Sequence, residues 1–141
     1  MGTRSLIAIE DNQSESLVIY CHWDGHPENR MPLLNEKYNT PVAIRKLLSM
    51  GDLSCLETDK DWNLKPMKPQ PLTYKMRGDT GVDMQRCKTT QLQRLAYERD
   101  AEYIYLFRGA HGWSYWKAEW LTKGAAVVES VSYTHLRAHE T

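Results

Sequence analysis

The residues best suited to chemistry cluster in one short run, Tyr20-Cys21-His22-Trp23-Asp24-Gly25. It combines a titratable ring, a thiol, a carboxylate and two large aromatics at the end of a strand-like segment, where connecting loops often carry function. Strand side chains alternate, so Tyr20 and His22 share one face while Cys21 takes the other. Cys21 and His22 therefore do not form a nucleophile and base by themselves. Asp24 is near enough in sequence to orient the His22 ring, as carboxylates do in acid/base and metal sites; an equally good reading is a structural histidine bonded to the turn. His22, Asp24, His26 and His111 are the one plausible ligand set for a metal, and nothing in their spacing requires one. HExxH, GxxxxGK[ST] and GxGxxG are all missing from the sequence, so zincin, P-loop and Rossmann chemistry have no local support. No metal and no cofactor is expected.

A second theme is flat rings beside guanidinium groups. Tyr20, Trp23, Tyr74, Tyr103, Tyr105, Trp113, Tyr115 and Trp116 are accompanied by Arg4, Arg77 and Arg108. A nucleotide needs a surface to stack its base, worth about 1–3 kcal/mol, and forked donors for its phosphates. The alternative fate of each ring is to fill a small core. The ligand-binding set this reading selects is Arg4, Tyr20, His22, Trp23, Asp24, Arg77, Asp79 and Tyr105. Arg77-Gly78-Asp79 reads either as an ordinary turn or as an Arg and an Asp placed to hydrogen-bond a ligand.

The elements that must position these groups follow from periodicity and turn chemistry. Segments 4–9 and 17–23, separated by the polar run 11–14, read as a β-hairpin. Met31, Leu34 and Tyr38 fall at helical spacing, suggesting a helix over 28–38 with Pro32 in its first turn. Thr40 as cap, Pro41 at the first helical position, the stripe Ile44, Leu47 and Leu48, and Gly51 beyond the end define a helix over 41–50. Residues 57–71 carry three prolines and little periodicity, reading as a long irregular connection around an anchor at Trp62, followed by a short strand at 72–76. A helix capped by Thr89 or Thr90 runs to Arg99, and strands 101–108 and 113–120 flank Gly109-Ala110-His111-Gly112 as a hairpin. The expected fold class is α+β: an antiparallel sheet of about four strands with two or three helices packed on one side.

The chain has 141 residues and balanced charge, 18 Lys plus Arg against 18 Asp plus Glu, so one domain is expected and the basic stripe of a duplex-DNA binder is not. No apolar run approaches a membrane span, and the N-terminal residues do not resemble a signal peptide. Cys21, Cys55 and Cys87 are odd in number and far apart, which fits free thiols in a reducing cytoplasm. Residues 131–141, VSYTHLRAHET, resemble the translation of a transposon-end sequencing adaptor. That resemblance implies a single domain over 1–130, a non-native tail over 131–141, a metagenomic origin and the exclusion of His135, Arg137 and His139 from site reasoning.

Thr3-Arg4-Ser5, Ile19 to Gly25, Pro27-Glu28, Leu33-Leu34, Tyr38 and Gly51-Asp52-Leu53-Ser54 together resemble a family of small phage proteins that open with TRS and carry IYCHWDGYPE. The likeness spans residues 3–56 and extends loosely to Tyr105–Phe107; it departs at His26, where the family has Tyr, and around Arg77 to Gly81. It implies a phage protein acting in the cytoplasm of an infected bacterial host. Small phage proteins often counter host defence, and by class this chain is similar to the Lockin and Sequestin sponges of the Thoeris signal, a cyclic ADP-ribose. The expectation is an anti-defence protein that sequesters a nucleotide immune signal, working as a homo-oligomer whose subunits enclose the ligand. Two alternatives stand beside it. One is a metal-independent phosphodiesterase using His22 as acid/base, with or without His111; the other is a protein–protein inhibitor of a host defence nuclease, anchored by exposed aromatics.

Overall fold

A computed structural model describes residues 2–12 and 14–118. The expectations for residues 131–141 lie outside the described residues. The fold is α+β, but the sheet differs from the expected one: it has seven strands and is mixed, in the order β4-β3-β2-β1-β6-β7 with β5 also on β2. The strands are β1 (Ser5–Asn12), β2 (Glu15–Cys21), β3 (Leu53–Lys60), β4 (Pro66–Thr73), β5 (Gln85–Lys88), β6 (Tyr103–Phe107) and β7 (Trp113–Lys117). β1–β2, β2–β5, β3–β4 and β6–β7 are antiparallel, whereas β1–β6 and β2–β3 are parallel.

Nor do the helices share one side. α1 (Pro27–Lys37) and α2 (Pro41–Leu48) place Leu34, Ile44, Leu47 and Leu48 against Ile7, Ile19, Cys21 and Tyr105. α3 (Leu92–Glu98) places Leu92 and Ala96 against Leu6, Ala8, Val18 and Tyr20 on the opposite face. The central strands read as unbroken apolar runs because both faces are covered, a pattern normally associated with parallel sheets. Residues 5–9 of β1 are all buried, as are 16–21 of β2.

The local signals are realised most directly in α2. Thr40 Oγ1 accepts from the Ala43 N–H at 3.2 Å, and Pro41 opens the helix. Gly51 follows it with φ +83°, where a Cβ would lie 2.5 Å from the Val82 carbonyl oxygen. In α1, Pro32 lies in the interior rather than the first turn, so the helix forgoes one N–H there. Residues 57–71, read as irregular, are mostly the β3–β4 hairpin. Its prolines fall on β4, the sheet's outer strand, where a missing donor is tolerated.

β2 hands its outer edge from one strand to another. Glu15–Val18 pair with β5, Cys21 pairs with Leu53 of β3, and the N–H groups of His22 and Trp23 continue to the carbonyls of Leu53 and Ser54. In the gap between β5 and β3, the Tyr20 N–H is received by a side chain, Asp52 Oδ1, at 3.0 Å.

Candidate functional site

At this break in the sheet edge, Asp52 joins four segments. Its Oδ1 accepts from Tyr20 N, its Oδ2 is 3.0 Å from Arg99 Nη2, its N–H donates to Val82 O at 2.7 Å and its carbonyl accepts from Tyr74 N at 3.3 Å. The Arg99 guanidinium, just beyond α3, lies 4.3 Å from the centroid of the Tyr20 ring. Arg4, at the start of β1, is 3.8 Å from Asp100, whose φ of +56° turns the chain immediately after Arg99. Two guanidinium groups thus flank one tyrosine, and both stay accessible, with side-chain exposures of 41% for Arg4 and 34% for Arg99.

The Tyr20 hydroxyl is 2.9 Å from His22 Nδ1. Burial pushes the Tyr20 hydroxyl up, against the opposing influence of Arg4, so it keeps its proton. Burial, helped by Arg4, holds the His22 ring below its ordinary value, so it is neutral near pH 7. The bond joins a protonated phenol to a neutral imidazole, and its direction follows the ring tautomer: with the ring proton on Nε2, Tyr20 O–H donates to Nδ1 and Nε2–H is left as a donor. Trp23 packs edge-on against His22, ring centroids 4.9 Å apart, and leaves 43% of its surface exposed. Gly2 makes room for it, since a Cβ there would come within 2.5 Å of the indole.

Four of the eight residues selected from sequence, Arg4, Tyr20, His22 and Trp23, therefore meet on the α3 face. Arg77 and Asp79 form their own pair next door: Arg77 Nε lies 3.2 and 3.3 Å from the two Asp79 carboxylate oxygens, and its guanidinium stacks on Trp62 at 4.2 Å and Tyr74 at 5.1 Å. Tyr74 links this pair to the break through its bond to Asp52. Asp24 does not orient His22, whose Nδ1 partner is Tyr20. It takes φ +60° and lines a cleft of about 300 Å3 with Arg30, Leu33 and Leu56. Tyr105 is fully buried on the α1 face, where its hydroxyl donates to the Gly25 carbonyl, so it offers no ring to a ligand.

Sequence reasoning missed Asp52, Arg99 and Arg30. Asp52 had a local signal, since it follows the helix-ending Gly51 directly. Arg99 had none, because only the fold brings the end of α3 to β2. Arg30 is 1% exposed and donates to Ser5 Oγ at 2.8 Å, Cys21 Sγ at 3.4 Å, and the Trp23 and Asp24 carbonyls at 2.9 and 3.1 Å. Together with Tyr105 it binds three successive carbonyls, 23 to 25, and so holds the turn that carries Trp23. Burial keeps the Cys21 thiol high, and Cys55 is pushed up to about 11, so neither is a ready nucleophile.

His111 lies at the other end of the sheet. Ser5 is opposite Cys21, whereas Phe107, just before the Gly109–His111 turn, pairs with Ile9. The strand rise alone puts about 13 Å between those levels. Among the described residues no group of three or more His, Cys, Asp or Glu side chains could hold a metal, and no helix is long and apolar enough to cross a membrane. Comparison with family models, with curated proteins and with solved structures gives no match.

Proposed function

We propose that the protein binds and retains a small nucleotide on the shelf formed by Tyr20, His22, Trp23, Arg4 and Arg99, without cleaving it. The observation that carries this reading is the convergence of Arg4, Arg99 and His22 around Tyr20 beside the exposed Trp23 ring. In the tautomer where Nδ1 accepts from Tyr20 O–H, Nε2–H is a donor suited to a phosphate oxygen, whereas a general base would need its lone pair there. The separation of His22 from His111 removes the second histidine that a two-histidine phosphodiesterase would use. Arg4 and Arg99 supply forked donors, Arg99 being held in place by Asp52, and the exposed Trp23 ring supplies a stacking surface.

Arg77 and Asp79 border the site as a closed pair that frames its Tyr74 side. The shelf is open, so a polar ligand held there is best enclosed by a second copy of the chain, in keeping with a homo-oligomer. In the phage setting implied by the sequence resemblance, the ligand is an immune signal of the cyclic ADP-ribose type, and the activity is its sequestration.

Purified protein is to be incubated with cyclic ADP-ribose isomers and cyclic dinucleotides and then heat-denatured, and the released small molecules measured by mass spectrometry. Recovery of intact ligand at near-stoichiometric yield is the expected result. Cleaved product overturns retention without turnover. Failure to deplete any nucleotide overturns nucleotide binding and directs attention to a protein partner.

A further inference from the structure

At the same end of the sheet, but on the α1 face, a separate cleft of about 570 Å3 opens between the start of α1 and the β6–β7 hairpin. Its lining combines rings, apolar groups and one charge: His26, Tyr103, Tyr115, Pro27, Met31 and Glu28. The rings are inclined to one another rather than stacked flat. His26 and Tyr103 have centroids 5.5 Å apart at 56°, and Tyr103 and Tyr115 are 6.5 Å apart at 58°. They border an open, shallow cleft, with Met31 and Pro27 as apolar neighbours.

The electrostatics of the lining are one-sided. Ring faces are negative, and Glu28 is the one lining carboxylate. The N-terminus of α1 contributes about half a positive charge, which a full carboxylate more than offsets. The lining residues include no Lys or Arg; Lys117, opposite Tyr103 in the β6–β7 ladder, is exposed at the strand end. Mutually inclined rings beside one carboxylate and apolar side chains suit a cation whose charge is spread over methyl groups. A bare ammonium would have to shed a tightly held water shell in a cleft that offers few acceptors.

We propose that this cleft binds a methylated ammonium group, as in choline or a methylated amine, with Tyr103 and His26 facing the methyl groups and Glu28 balancing the charge. The site is distinct from the nucleotide shelf and stands on different observations.

The test uses the whole protein labelled with 15N and titrated at pH 7.5 with choline, and separately with 3,3-dimethylbutan-1-ol, its neutral isostere. Saturable shifts at His26, Glu28, Met31, Tyr103 and Tyr115 are expected for choline, with the isostere weaker by about two- to thirtyfold, the range that a cation–π contribution allows. Glu28→Gln, a change at an exposed position, is expected to weaken choline several-fold while leaving the isostere unaffected. Equal binding of the two compounds overturns the proposal in favour of a merely apolar groove, and so does choline saturation elsewhere or not at all. Tyr103→Leu is a second check: unchanged choline affinity in this variant, with an unaltered spectrum away from the cleft, also overturns it.

Discussion

Two Arg–Tyr pairs occupy opposite faces of the same end of the sheet, and they have opposite fates. On the α1 side, Arg30 lies 5.6 Å from the Tyr105 ring centroid, both side chains are fully buried, and their donors go to Ser5, Cys21 and the carbonyls of residues 23–25. On the α3 side, Arg99 lies 4.3 Å from the Tyr20 centroid, has a carboxylate partner in Asp52 and remains one-third exposed. Residue type is the same; burial and partner differ. The first pair is a clamp on the turn, because a buried guanidinium is tolerated when acceptors surround it. The second keeps donors facing outward, as recognition requires.

The clamp is where the largest effect is expected. Arg30→Met removes the donors to the Trp23 and Asp24 carbonyls, and each buried acceptor left unpaired costs about 1–3 kcal/mol. A loss of about 3 kcal/mol or more in urea unfolding is expected, together with disturbance of Trp23 fluorescence. A loss below about 1 kcal/mol would break the comparison by showing that Arg30 is not a clamp. Arg99→Gln comes next and moves a different readout. Charge-assisted contacts are worth about 1.5–3 kcal/mol, so nucleotide retention should fall by about 10- to 100-fold, with a stability loss smaller than that of Arg30→Met from the buried Asp52 carboxylate that loses its charged partner. Equal ligand affinity in wild type and Arg99→Gln would remove Arg99 from the shelf.

The contrast also explains what could be read in the chain. Alternation along Leu17–His22 correctly separates Tyr20 and His22 from Cys21, because a period of two is a local property of strands. Cap and spacing likewise locate α2, and spacing locates α3 and the β6–β7 hairpin; the expected cap of α3 at Thr89 or Thr90 is not realised, because Thr89–Gln91 form a separate 3-10 turn and α3 starts at Leu92 without a side-chain cap. The covering of the sheet on both faces was legible in the unbroken apolar runs of β1 and β2, yet assigning all helices to one side ignored them. β5, with the sequence QRCK, has no apolar alternation at all; it is a strand because β2 has an edge to fill. For the same reason Arg99 has no signal of its own in the sequence, since its contact with Asp52 across 47 positions is set by topology and not by spacing. Tyr105 was assigned to the ligand on type alone, and its register beside Ile7 puts it in the core.

Paired tyrosine variants sharpen the comparison at a smaller scale. Tyr105→Phe leaves the Gly25 carbonyl without its donor and is expected to cost about 1–2 kcal/mol of stability while sparing nucleotide affinity. Tyr20→Phe removes the hydroxyl partner of His22 Nδ1 and leaves the imidazole without that anchor. Its expected effect is a few-fold loss of nucleotide affinity with less effect on stability. If the two variants exchanged these phenotypes, the assignment of clamp and shelf would be reversed.

The smallest effect is a pH dependence of the shelf. His22 has its folded value held below the ordinary value of about 6.5, by burial first and by Arg4 second. Over the window between those two values the unfolded chain binds more protons than the folded one, so stability rises with pH there. The contribution is intact above about pH 6.5 and is lost as pH falls through the lowered folded value. A bound phosphate reverses the local field, favouring the imidazolium, so ligand binding takes up a proton and retention should strengthen as pH drops from 7.5 towards 6. Thermal unfolding and ligand retention therefore respond to acid in opposite directions, a pairing that a histidine with only a structural role does not produce. His22→Gln is expected to flatten both profiles over this range. A retained acid-strengthened affinity in His22→Gln would assign the proton uptake to the ligand itself and leave His22 as a hydrogen-bond donor alone.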